Sequence, residues 1–88
     1  MTISEREKIC LKILFDANEA DYYNDEYGWT RFKYVAEKSK LTLSQARRSV
    51  RALARKGLAE FSQLFDDEGY LNGSGYHISR EGINLLKN

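Results

Sequence analysis

The stretch LTLSQARRSVRALARKGL, from Leu41 to Leu58, constrains the fold more than any other part of the chain. Both of its ends are marked. Thr42 followed three residues later by Gln45 is a capping box, in which each side chain satisfies a backbone N–H of the other, and Leu41 with Ala46 fits the accompanying hydrophobic staple. Gly57 suits the left-handed position after a last turn. The spacing predicts a helix that starts at Leu43 and ends at Gly57. Successive residues turn by ~100° about a helix axis, so Leu43, Ala46, Leu53, Ala54 and Gly57 fall within about 60° of Val50. Ser44, Arg47, Arg48, Arg51 and Arg55 fall between about 60° and 160° on one side. Such a helix must dock its apolar stripe on other elements, and it carries an arginine stripe beside that face.

The flanking segments supply the elements to dock against. Ser4 and Glu7 form a second capping box, and Ile9, Cys10, Ile13, Leu14 and Ala17 recur at helical spacing, which predicts a first helix over about residues 5–18. ANEADYYNDEYGWT, residues 17–30, is acidic and aromatic without a clear period, and reads as a long loop, with continuation of the first helix into it as the alternative. Trp29 there reads first as a plug on one side of the core. Thr30 suits the cap of a short second helix, Arg31 to about Ser39, with Phe32, Val35 and Ala36 inward. After Gly57, LAEFSQLF favours a strand and YHIS a short second one, giving a hairpin over residues 58–79. DDEG and NGSG are turn signals, and Asn72-Gly73 suits a tight turn needing positive φ. Ser79 caps a last helix, Arg80 to Lys87, which buries Ile83 and Leu86.

The formal charge of +1 conceals a segregation. Residues 31–58 hold nine basic residues and one acid, Glu37, a net of +8; the rest holds five basic and twelve acidic residues, a net of −7. A local patch governs attraction to a polyanion, because the field decays over ~8–10 Å in physiological salt. The sequence offers little catalytic chemistry. His77 is the only histidine, and it reads as a half-exposed strand residue. The single Cys10 forbids an internal disulfide and a cysteine-based zinc cluster, and reads as a small core residue. DDEGYLN lacks the alternating spacing of a calcium loop. No Gly-rich phosphate loop precedes a helix. The expectation is a protein that is not an enzyme, with no metal or cofactor. No apolar run approaches a membrane span and no cleavable signal precedes Ser4, which points to the cytoplasm and away from membranes.

The order helix, helix, turn, helix, two-stranded hairpin, helix resembles a winged helix-turn-helix domain. The residues that carry the resemblance are YVAEKSKLTLSQARRSVRALARKGLAEF and GYHISREGINLL. The first is similar to the two-helix unit and the leucine, spacer, glycine, leucine pattern (Leu53, Gly57, Leu58) of MarR-type regulators. The second is similar to a wing's return strand and the small-residue helix start that follows it. The resemblance implies an α+β, mostly helical fold, with residues 1–88 as a single winged helix-turn-helix domain. Several positions depart from the pattern. Lys40 stands at a turn position often held by glycine, and Ser49 at an aliphatic one. Asp66, Asp67 and Glu68 occupy the wing tip, where many wings carry arginine or lysine. The long dimerisation helices of MarR-type proteins have no counterpart.

The resemblance implies a sequence-specific binder of double-stranded DNA and a transcriptional regulator, its helix 43–56 entering the major groove. Base reading would fall to Ser44, Gln45, Arg47, Arg48 and Arg51, and phosphate contacts to Thr30, Arg31, Lys33, Lys40, Thr42 and Arg55. Thr30 and Thr42 also have a plainer role as helix caps. A second reading is a winged-helix protein-interaction module using the acidic, tyrosine-rich loop 17–30 or the acidic wing. A third is RNA binding. Partners are thus duplex DNA and, as further candidates, another protein or a second copy of the chain.

Overall fold

The third helix of the chain is where the sequence places it, and the rest assembles on its apolar side. The computed structural model describes residues 2–24, 31–65 and 67–87. Its elements run α1 (Glu5–Asn24), α2 (Phe32–Ser39), α3 (Leu43–Arg55), β1 (Ala59–Phe65), β2 (Leu71–Ile78) and α4 (Arg80–Lys87). The two strands pair antiparallel in one hairpin. This is the winged helix-turn-helix arrangement, mostly helical with a two-stranded wing.

Local chemistry sets most of the boundaries. Thr42 Oγ1 accepts from the Gln45 N–H and Gln45 Oε1 from the Thr42 N–H, both at 3.1 Å. At the other end of α3, the Leu58 N–H bonds the Leu53 carbonyl at 2.9 Å and the Gly57 N–H bonds that of Ala54 at 3.1 Å. These are the two bonds of a Schellman motif, which requires the left-handed φ of +78° at Gly57. Ser4 and Glu7 close the α1 start reciprocally at 3.2 and 3.1 Å. Ser79 Oγ accepts from the Gly82 N–H at 3.1 Å and donates to the Gly57 carbonyl at 2.6 Å, which ties the α4 start to the end of α3.

The core joins Cys10, Leu11 and Leu14 of α1 to Val35, to Ala46, Val50 and Leu53 of α3, and to Leu58, Ala59, Tyr76 and Ile78. Ile83, Leu85 and Leu86 of α4 pack against it partly buried. Ser49 is buried too, and its hydroxyl reaches the Cys10 thiol, which gives the polar side chain at this position a partner. Burial pushes the Cys10 thiol up from its ordinary range, partly offset by Ser49.

Four expectations need correction. Helix α1 does not stop near residue 18 but runs to Asn24, because NEADYYN contains neither glycine nor proline to end it. Within it, Leu11 is fully buried and Ile9 is 42% exposed, because α1 is covered by β2 and α4 as well as by α3, which turns its inner face toward Leu11. Helix α2 begins at Phe32, with Arg31 as an extended N-cap that makes no side-chain cap bond; Thr30, Tyr27 and Trp29 lie outside the described residues. The hairpin turns at Asp67–Gly69, with Gly69 at φ +87°, and not at Asn72-Gly73. NGSG lies inside β2, where Ser74 pairs with Gln63 and Gly75 with Ser62, and a register shift between Gln63 and Phe65 takes up the irregularity. Strand pairing along β1 thus outweighs the local turn preference, and glycines in a strand accompany a bulge.

Candidate nucleic-acid interface

Ser44, Arg47, Arg48, Arg51 and Arg55 line one open cleft of ≈ 330 Å³ along α3. They are the five residues that the helical wheel puts on one stripe. Their spacing of three and four residues stacks them along one side of the helix. The neighbouring apolar stripe, Ala46, Val50 and Leu53, is fully buried and fixes the rotation of the helix. Leu43 departs from the wheel. It falls on the apolar side but, as the first residue of α3, is 46% exposed.

Among the described residues none of the four arginines is held in an ion pair. Lys56, the C-cap residue of α3, is paired. Its Nζ lies 2.6 Å from Glu7 Oε2 and 3.3 Å from the Thr2 carbonyl oxygen. That hydrogen bond, foremost, holds the Glu7 carboxyl below its ordinary value of 4.5 against the opposing effect of burial. Lys56 therefore belongs to the packing of α1 on α3, and the charge of the cleft is the arginines'.

The other residues that the resemblance implicates are distributed as follows. Gln45 is half-buried and its Oε1 is engaged in the capping box, which leaves its amide N–H₂ as the group to offer a ligand. Thr42 is exposed, with its hydroxyl engaged in the same box. Arg31, Lys33 and Lys40 are exposed around α2. Lys40 sits in the turn at φ 64°, ψ 18°, the left-handed region, which explains why glycine suits this place. The turn is bridged by Ser39, whose Oγ donates to the Ala36 carbonyl and accepts from the Leu41 N–H at 3.2 Å. Thr30 lies outside the described residues. At the wing, Asp67, Glu68, Tyr70 and Leu71 are exposed.

One residue near the cleft has no place in the site that the sequence outlines. The ring centroid of Phe32, at the start of α2, is 5.6 Å from the guanidinium carbons of both Arg47 and Arg51. No sequence pattern flags this, because the contact depends on how α2 crosses α3.

The layout is a winged helix, and solved structures share it. Among solved structures the chain is similar to S. aureus MepR bound to ethidium bromide, with a TM-score of 0.73 over 99% of this chain and 54% of that one, at 16% identity. A mutant of S. aureus MepR matches at a TM-score of 0.70 and 18% identity, over 97% of this chain and 54% of that one. A possible transcriptional regulator from Methanosarcina mazei Go1 matches at 0.66 and 22%, over 96% of this chain and 63% of that one. The chain thus spans about half the length of the MepR chains. No family model matches it, and no curated protein does. No helix among the described residues is long and apolar enough to cross a membrane.

Proposed function

We propose that the protein binds double-stranded DNA sequence-specifically as a transcriptional regulator, with α3 entering the major groove. The observation that carries the reading is the cleft of a serine and four arginines, none of them in an ion pair among the described residues, on a helix whose apolar face is locked into the core. A guanidinium fork matches the two major-groove acceptors of guanine, and a good bidentate pair contributes ~1–3 kcal/mol of discrimination. The likeness to a structure described as a possible transcriptional regulator supports the same direction. In this reading Ser44, Gln45, Arg47, Arg48 and Arg51 face bases. Arg31, Lys33, Lys40 and Arg55 face phosphates, together with Thr30, Thr42 and the backbone amides at the starts of α2 and α3. Residues 1–88 act as one domain, and two copies on paired half-sites would double the contact.

The test is selection from a random duplex pool at two salt concentrations. Four phosphate-facing cations give a slope near −3.6 in log K against log salt, or ~150-fold weaker binding for a fourfold rise in salt. Arg48→Ala should weaken the selected site and relax its sequence. No enrichment at either salt refutes the reading. The exposed Tyr70 and Leu71 beside Asp67 and Glu68 favour a second reading, a wing that docks on another protein. It predicts partner loss on Leu71→Asp with arginine changes harmless.

A further inference from the structure

The four arginines of the cleft are not equivalent. Arg47 and Arg51, one turn apart on α3, both have their guanidinium carbons 5.6 Å from the centre of the Phe32 ring. Arg48 and Arg55 line the same cleft with no ring against them among the described residues. The Phe32 ring is itself held from behind. Its centroid lies 5.3 Å from that of Tyr76 on β2, which is 8% exposed, and Tyr76 lies 5.4 Å from Phe61, its register partner on β1. An aromatic row therefore runs from the wing through α2 and ends against two arginines of α3.

We propose that Phe32 is a positioning residue for base reading, which holds Arg47 and Arg51 extended over its ring so that they meet base edges already ordered. The proposal rests on α3 being the DNA-reading helix. An arginine loses much rotamer freedom when it docks, and a side chain ordered beforehand loses less. Two like charges four residues apart on a helix repel, and the negative face of a shared ring offsets that repulsion. Four residues of helix rise ~6 Å, close to the ~6.8 Å of two base-pair steps. The pair is thus spaced to address bases two steps apart. Arg48 and Arg55 keep their freedom, which suits adaptable contacts.

Five variants of the whole chain test this against the selected duplex and a scrambled one, Arg47→Ala and Arg51→Ala among them. Phe32→Leu keeps an apolar side chain but removes the ring, Phe32→Tyr keeps the ring, and Arg48→Ala is the comparison. Phe32→Leu should lower the affinity for the selected duplex about tenfold, with the scrambled duplex and the salt slope unchanged. Phe32→Tyr should restore it. A repeated selection with Phe32→Leu should relax the positions that Arg47→Ala and Arg51→Ala relax, and leave the one that Arg48→Ala relaxes. An unchanged ratio of selected to scrambled affinity overturns the positioning role while leaving DNA reading intact. Parallel loss on both duplexes, matching a loss of stability, overturns it as well. No salt-dependent binding by the unaltered protein overturns both. A readout free of DNA covers the case in which Phe32→Leu fails to fold. In the unaltered protein the Nε–Hε signals of Arg47 and Arg51 should be ring-shifted and more ordered than those of Arg48 and Arg55. Four equally mobile signals contradict the proposal.

Discussion

Replacing Gly82 by alanine sets two effects of similar size against each other, and the structure decides between them. Gly82 is the third residue of α4. On helix propensity alone, Gly→Ala stabilises by up to ~1 kcal/mol. The position is buried, however, and a β-carbon there would stand 2.4 Å from the Leu58 carbonyl oxygen, 2.8 Å from Ile78 Cγ1 and 3.2 Å from Leu11 Cδ1. The first neighbour is backbone and gives way only if α4 shifts outward. That same oxygen accepts the Ser79 N–H at 3.0 Å, and Ser79 caps α4, so the shift strains the junction of α3, β2 and α4. Overpacking of this kind costs ~1–3 kcal/mol, and a weakened buried hydrogen bond adds ~1 kcal/mol. The net is a destabilisation of about 1–3 kcal/mol, or a Tm lower by ~5–20 °C for a domain of this size. Thermal and urea unfolding followed by far-ultraviolet circular dichroism measure it. Asn84→Ala, exposed on the same helix, is the control and should be neutral or slightly stabilising. A Gly82→Ala protein that melts at or above the parent temperature would show that α4 does not approach Leu58 this closely.

Three further outcomes follow from the same geometry. Thr42→Ala removes one half of the α3 capping box and should cost ~1 kcal/mol, read as a Tm lower by ~4–8 °C; an unchanged Tm contradicts the box. Lys40→Gly relieves a left-handed φ that costs a non-glycine residue ~1–2 kcal/mol, less the entropy that glycine adds to the unfolded chain, so Tm should rise by a few degrees. Glu7 has a folded-state pKa below its ordinary 4.5. Its contribution is therefore complete above about pH 4.5 and is lost as pH falls through the lower folded value. Glu7→Gln should lower stability at pH 7 and flatten its fall in acid, and parallel pH profiles for the two proteins would contradict the Lys56 contact.

How far the sequence carries depends on whether the determining partner is near or far along the chain. The caps at Ser4, Thr42 and Ser79 and the glycine stop at Gly57 involve residues three to five apart, and each is read directly. The arginine stripe follows from helical period alone. What the sequence hides is set across the fold. Leu11 is buried in place of Ile9 because β2 and α4 cover that side of α1. The turn falls at Gly69 because β1 has partners for Gly75 and Ser74. The Leu58 carbonyl that leaves no room for a side chain at Gly82 lies 24 residues away in the chain. Lys56 counts toward a basic patch until Glu7 is found 2.6 Å away. Phe32 reads as an inward residue of α2, and its contact with two arginines appears only once α2 and α3 cross.

In a DNA-reading protein of this geometry the arginine cleft of α3 meets the duplex. Amide and arginine side-chain NMR signals recorded while the selected duplex is titrated in test it most directly. Shifts should concentrate on residues 43–51 and on Arg55, with smaller ones at Lys33 and Lys40, while the α1 and α4 signals stay in place. Signals of 43–51 that do not move, with the changes gathered instead at the wing around Glu68 and Leu71, would contradict it.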